Sequence, residues 1–253
     1  MLTTQTAALV TGGASGLGAA TAQALVATGA RVFALDLASA INDGSPIDGV
    51  SYLAADVTDE DQVRAAVAQV VGSGLPLRTV VNCAGIGPSQ RILGRRGPHD
   101  LAQFAQVVSI NLVGTFTVMT LAAEAMAATD PVDDQGQRGV IVNTASIAAF
   151  DGQVGQAAYA ASKGGVVGLT LPAARDLASH GIRVCTIAPG VVDTPMMGSM
   201  PDDVRESLAA SVPFPHRLAL PQEYARLVTM VVEHDYLNGE TIRMDGALRM
   251  GPR

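Results

Sequence analysis

The stretch YAASK, Tyr159 to Lys163, holds the one lysine among the chain's 16 basic residues; every other is arginine. A tyrosine and a lysine four residues apart share one face of a helix. A free phenol titrates at about 10 and is a poor acid or base at neutral pH. An ammonium fixed nearby favours the phenolate, and each pKa unit gained is worth about 1.4 kcal/mol. Such a pair is suited to passing a proton to or from a hydroxyl or carbonyl oxygen. A guanidinium, planar and wider, is a poor replacement for that compact charge.

A second chemical feature lies near the N-terminus. ALVTGGASGLG, residues 8–18, runs from a β-branched stretch into a helical one. Gly12 permits a tight turn, Gly16 lets backbone approach a pyrophosphate, and Gly18 allows close helix–strand packing. The helix that starts near Gly16 aims free N–H groups at such an anion. Ser15 and Leu17 belong to the same turn. The next strand, RVFALD, ends in Asp36. A carboxylate there can accept both hydroxyls of an adenosine ribose and repels a 2′-phosphate. Ser15 and Leu37 bring no positive charge, so NAD is expected over NADP.

These groups need a scaffold. Short strands are expected near 6–11, 31–36, 50–55, 79–82, 139–144, 182–188 and 240–244, and helices near 16–28, 59–72, 100–127, 157–179 and 221–233. The alternation predicts an α/β fold: one Rossmann-type, doubly wound parallel sheet of about seven strands with helices on both faces. Residues 1–253 read as one domain. Two long connections, 87–100 and 196–217, fall after strands, where such sheets bind ligands; the second is expected to be a substrate loop with apolar Met196, Met197, Met200 and Phe214.

Composition narrows the class. A chain of 253 residues that is 48% hydrophobic and 15% charged can bury a large core. Its net charge of −7 argues against general nucleic-acid binding. Cys83 and Cys185 sit in apolar strand-like runs and read as thiols, and no metal-ligand spacing occurs. The N-terminus lacks a targeting pattern and no apolar run is read as long enough to span a membrane. A cytoplasmic protein without membrane or nucleic-acid partners is the expectation.

The motifs TGxxxGxG at Thr11–Gly18, NCAG at 82–85, Asn111, NTASI around Ser146, YAASK and APGVVDTP occur in one order along nearly the whole chain. Together they resemble the short-chain dehydrogenase/reductase family. The resemblance implies a tetrad. Tyr159 exchanges the proton with the substrate oxygen, and Ser146 holds that oxygen. Lys163 lowers the tyrosine pKa and bonds the nicotinamide ribose. Asn111 holds a water in the proton path. It also implies cofactor contacts from Asp56 and Val57, from Asn82, Ala84 and Gly85, and from Pro189, Gly190, Val192 and Thr194.

Within the family, GQVGQAAYAASKGG and NGETIRMDGALRM resemble the short-chain type II 3-hydroxyacyl-CoA dehydrogenases. These imply an NAD-dependent homotetramer that oxidises (S)-3-hydroxyacyl-CoA to 3-oxoacyl-CoA. Gln153 and Gln156 then lie near the substrate oxygen, and Arg95 and Arg96 in ILGRRG meet CoA phosphates. A steroid or another small secondary alcohol is the alternative substrate. A non-catalytic partner in a larger complex is the alternative of another class, against which the intact Ser146–Tyr159–Lys163 set argues.

Overall fold

A computed structural model describes residues 4–95, 97–197 and 201–252. From the N-terminus, the elements are β1 (Ala7–Thr11), α1 (Gly16–Ala27), β2 (Arg31–Asp36), α2 (Ala38–Asp43), β3 (Val50–Ala54), α3 (Glu60–Gly72) and β4 (Leu77–Asn82). A small hairpin, β5 (Leu93–Gly94) and β6 (Gly97–Pro98), precedes α4 (Leu101–Val108), a π-helical turn (Ser109–Gly114) and α5 (Thr115–Ala127). Then come β7 (Gly139–Thr144), a 3-10 turn (Ile147–Ala149), α6 (Ala157–Ala178), β8 (Ile182–Pro189), α7 (Asp202–Ser211), α8 (Pro221–Glu233) and β9 (Thr241–Met244).

Seven strands form one sheet in the order β3-β2-β1-β4-β7-β8-β9. Every pairing in it is parallel. Chain order reverses between β1 and β4, which opens a crevice at their carboxyl ends. Strands β1, β4, β7 and β8 are buried throughout, as strands covered on both faces must be. One core packs α3, α5 and part of α6 against the sheet through Val63, Val67, Met119 and Ile141. The other packs α1 and α8 through Leu25, Val142, Tyr224 and Val228.

Local chemistry sets the helix starts. Asp59 caps α3 by accepting from Gln62 N at 3.1 Å, and Glu60 and Asp61 suit the positive end of that helix. Asp100 caps α4 through Ala102 N at 2.9 Å. Pro221 opens α8 where no N–H is needed, and Glu223 reaches back to Leu220 N at 2.8 Å.

The expected strands and helices are present, with four differences. The short α2 was not anticipated, because ASAIND has no buried residue to give it an apolar period. The β5–β6 hairpin lies inside the expected 87–100 loop. The expected helix 100–127 is interrupted by the π turn around Asn111. The expected loop 196–217 contains α7, a helix without a buried residue. The expectation about membrane-spanning length is also corrected. The helical run Leu101–Ala127 has 27 residues and a mean hydropathy of 1.5, enough by length and composition, and 39% of its apolar window is buried in the fold. A core helix of a soluble protein passes the same test. Met200 and residues 198–199 of the expected substrate loop lie outside the described residues.

Candidate active site

The cofactor side of the crevice is built from backbone. Gly12 adopts φ +64°, and a methyl group there would lie 2.8 Å from Ala84 N. A methyl on Gly18 would meet Gly12 O at 2.1 Å, so α1 can start this close to the turn only as glycine. Thr11 Oγ1 accepts from both Cys83 N and Ala84 N at 3.1 Å, which fixes the end of β4 against β1. Ser15 stands at the N-cap of α1 with no side-chain cap bond, so the first turn's N–H groups are open to an anion. Gly16, at φ +53°, has no atom closer than Thr194 and Pro195, 3.6 Å from where its Cβ would be. Asp36 ends β2 and accepts from Ala14 N at 3.0 Å and from Leu37 N at 2.9 Å. Each carboxylate oxygen keeps lone pairs for a diol. These features fit a dinucleotide.

The reactive side chains come from three elements beside β4. Ser146 follows β7, is 8% exposed and caps the 3-10 turn through Ala148 N at 3.1 Å. Tyr159 is half-buried in the first turn of α6. Lys163, one turn later, is buried, and its Nζ donates to Thr144 O at 2.8 Å. That Nζ lies 5.9 Å from the centre of the Tyr159 ring, and a methyl at Gly85 would stand 3.5 Å from it. Asn111, fully buried in the π turn, donates to Ile86 O at 2.9 Å and to Ser162 Oγ at 3.0 Å, and accepts from Ile86 N at 2.8 Å. Ser162 Oγ in turn donates to Tyr159 O at 2.8 Å. Asn111 thus links the end of β4 to the turn of α6 that carries Tyr159. A π turn admits this by displacing the helix from its regular ladder.

Burial sets the electrostatics of the site. Burial raises the Tyr159 pKa, and only the neighbouring Ser146 hydroxyl opposes it. Burial lowers the Lys163 pKa to about 8, still an ammonium at neutral pH, and its Nζ is held by Thr144 O. Below it, Thr144 Oγ1 and Tyr224 OH pair at 2.7 Å, and Cys83, a free thiol as expected, touches both. Burial raises the Cys83 pKa.

Other predicted residues fall into three groups. Gly190 bonds Met244 O through its N–H at 2.9 Å, and Thr194 faces Gly16 across the crevice, so the strand β8 loop does line it. Asp56 forms a turn with Thr58 N and Oγ1 at 2.8 Å, and Val57 is buried against Gly114, where a methyl would lie 2.7 Å from its Cγ2. Pro189 and Val192 are buried. Asn82 is corrected: its side chain is 2% exposed and bonds Asn143 Oδ1 at 2.9 Å, tying β4 to β7 beneath the crevice rather than lining it. Gln153 and Gln156 lie in the loop that enters α6. Gln156 Oε1 accepts from Gln153 N at 3.0 Å, and Gln153 Nε2 is turned to Gly251 O at 3.1 Å. Arg95 is exposed in the turn of the hairpin, and Arg96 lies outside the described residues. The hairpin loop docks by Gln90 N on Gly155 O at 2.9 Å. Met196 borders the site, its Sδ 3.5 Å and the Tyr159 ring 3.6 Å from where a Cβ on Gly87 would stand.

Sequence reading did not single out Thr11, Thr144 or Ser162. Ser162 sits inside YAASK, three residues after Tyr159, where a hydroxyl can bond back along a helix; that was the available signal. Among the described residues no cluster of His, Cys, Asp and Glu could hold a metal.

Comparison with known proteins follows the same lines. A family model described as short chain dehydrogenase matches residues 6–205. The chain is 52% identical to the 3-hydroxyacyl-CoA dehydrogenase type-2 of Bos taurus over 97% of its length and 95% of that protein's. It is 52% identical to the enzyme of the same name from Drosophila melanogaster, covering 96% and 97%. The crystal structure of a 3-hydroxyacyl-CoA dehydrogenase type-2 from Mycobacterium avium superposes with a TM-score of 0.90, at 42% identity over 98% of each chain.

Proposed function

The chain belongs to the short-chain dehydrogenase family and is an oxidoreductase that uses a nicotinamide cofactor; from that premise we propose that it oxidises the 3-hydroxyl of (S)-3-hydroxyacyl-CoA to a 3-oxo group with NAD. The observation that carries the reading is the grouping of Ser146, Tyr159 and Lys163 at the carboxyl end of β7 and on one face of α6. Similarity to relatives bearing that enzyme name supports the substrate class.

The bound cofactor supplies the hydride acceptor. Gly12–Gly18 and the N-terminus of α1 hold its pyrophosphate, and Asp36 holds its adenosine ribose, which favours NAD. Ser146 Oγ donates to the substrate oxygen and keeps it beside Tyr159. Tyr159 takes the hydroxyl proton during oxidation and returns it during reduction. Lys163 faces the ribose side past Gly85, and the π turn at Asn111 keeps a water within the proton path. A phenol whose pKa is raised by burial is protonated at neutral pH, which suits it as the acid of ketone reduction. It becomes a base as pH rises, so oxidation is faster in alkaline solution and reduction faster near neutrality.

Met196 beside Tyr159 is an adaptable apolar group suited to an acyl chain, and the two long connections also carry exposed Ile92, Leu93 and Phe214. Arg95 in the hairpin turn is placed to meet phosphates of CoA. A homotetramer is supported by Leu101, Phe104, Val113 and Phe116, apolar side chains left exposed on the run from α4 to α5. Light scattering that reports a monomer at micromolar concentration contradicts it. The test of function is NAD reduction with (S)-3-hydroxyacyl-CoA esters of increasing length beside steroid alcohols. Turnover of the CoA esters is expected. Oxidation of steroid alcohols with no turnover of any CoA ester would replace the reading.

A further inference from the structure

Between Ser146 and Tyr159 the chain makes the 3-10 turn and then a loop, residues 150–156, before entering α6. The loop carries Phe150 and Asp151, and both meet Arg243 on the edge strand β9. Arg243 Nη2 donates to Asp151 Oδ2 at 2.6 Å and to Leu248 O at 3.1 Å, and Nε donates to Asp245 Oδ2 at 2.7 Å. Its Cζ lies 5.1 Å from the centre of the Phe150 ring. The Arg243 and Asp151 side chains are each 21% exposed and that of Asp245 is 8% exposed, so this is a shielded network and not a loose surface pair. Asp245 also accepts from Arg249 Nη1 at 2.9 Å and from Ala247 N at 3.0 Å. Further along the same arm, Gly251 O accepts from Gln153 Nε2 and Pro252 O from Val154 N, each at 3.1 Å. The arm from β9 onward therefore grips a ring, a carboxylate, an amide and a backbone N–H, all within residues 150–154.

That loop is the covalent link between the group that holds the substrate oxygen and the group that moves its proton. We infer that Arg243 is a positioning residue for the reaction at Tyr159: by fixing Asp151 and Phe150 it sets the spacing of Ser146 and Tyr159. It touches neither of them. A fork with several donors is needed to serve Asp151, Asp245 and Leu248 O together, and a single ammonium cannot span the three. The kinetic consequence rests on the dehydrogenase reading; the mechanical one does not.

The experiment compares Arg243→Gln, Asp151→Asn, the double variant and Arg243→Lys with the unsubstituted protein. It measures kcat and both KM values with NAD and (S)-3-hydroxybutyryl-CoA, thermal stability, and hydrogen exchange across residues 147–158. Each single variant is expected to lower kcat on the order of ten- to a hundredfold, as small misplacements of reacting groups do. The KM for NAD stays within a few-fold, and exchange rises in 147–158 above the rest of the chain. The double variant falls no further than Arg243→Gln alone, because that change already removes the bond to Asp151. Arg243→Lys recovers thermal stability without recovering kcat. Unchanged kcat with a lower melting temperature, losses that multiply in the double variant, or unchanged exchange in 147–158 would each overturn the inference. If the unsubstituted protein leaves the CoA ester untouched, the substrate reading fails, and the exchange measurement still decides the role of Arg243.

Discussion

The two sides of the crevice are made of different material. The cofactor side is strand ends and one helix start, where main-chain geometry does the positioning. Thr11 Oγ1 clamps β4 to β1, and Gly12 and Gly18 pack at distances no other residue allows. The proposed substrate side is the hairpin within 87–100 and the segment after β8, where long side chains stand in solvent: Ile92 is 73%, Leu93 75% and Phe214 78% exposed. One side fixes what binds by shape of the backbone. The other offers exposed apolar side chains. Helix α6 joins them, with Tyr159 beside Met196 and Lys163 beside Gly85.

If the division is right, changes on the cofactor side and on α6 cost more than changes on the rim. Lys163→Arg is expected to lower kcat by about two orders of magnitude and to weaken NAD binding, since a wider guanidinium cannot occupy the enclosed space between Thr144 O and Gly85. Steady-state rates with a titration of NAD check it, and near-normal values for both would break the comparison. Asp36→Arg comes next. It should weaken NAD by about tenfold or more, the worth of a charge-assisted bond, and improve NADP. A protein that already prefers NADP before substitution would remove the argument for Asp36.

Stability gives a third test. The Lys163 pKa of about 8 in the fold lies below its usual 10.5. The unfolded chain then binds more protons between those values, so stability rises with pH across that window and is reduced below it. The penalty at neutral pH is up to about 3 kcal/mol, offset in part by the bond to Thr144 O. Lys163→Met should therefore melt higher than the unsubstituted protein at pH 7, while inactive, with the gap closing toward pH 10.5. A variant less stable at pH 7 contradicts the cost assigned to burying the ammonium. The smallest effect is expected on the rim. Replacing Arg95 and Arg96 with Ala should raise KM for the CoA ester a few-fold and leave kcat nearly unchanged, as loss of uniform binding does. Equal losses on an alcohol lacking CoA would assign the hairpin a structural role.

The same division governs what the sequence made legible. The glycine turn, Asp36 and YAASK are local: their proposed roles follow from spacing along one turn or one helix, and the parallel sheet from the strand–helix alternation. What local spacing leaves unstated is tertiary. The orientation of Gln153 depends on Gly251, which is 98 residues away in sequence. The burial of Asn82 depends on its partner Asn143, across a strand pair that no local pattern specifies. The direction of the Tyr159 pKa depends on how deeply α6 is packed, which no local spacing states. Helix α7 escaped notice because a helix that buries nothing leaves no apolar period to read.

The central claim is that Tyr159 moves the proton on a site whose cofactor side is already built. Tyr159→Phe deletes one oxygen and keeps the ring, so it separates the two. Binding of NADH, followed by its fluorescence, should stay within a few-fold of the unsubstituted protein, while kcat for NAD-linked oxidation of (S)-3-hydroxybutyryl-CoA falls by about two to four orders of magnitude, the usual worth of a general acid–base group. A kcat within a few-fold of normal would show that another group moves the proton, and the account of this site would be wrong.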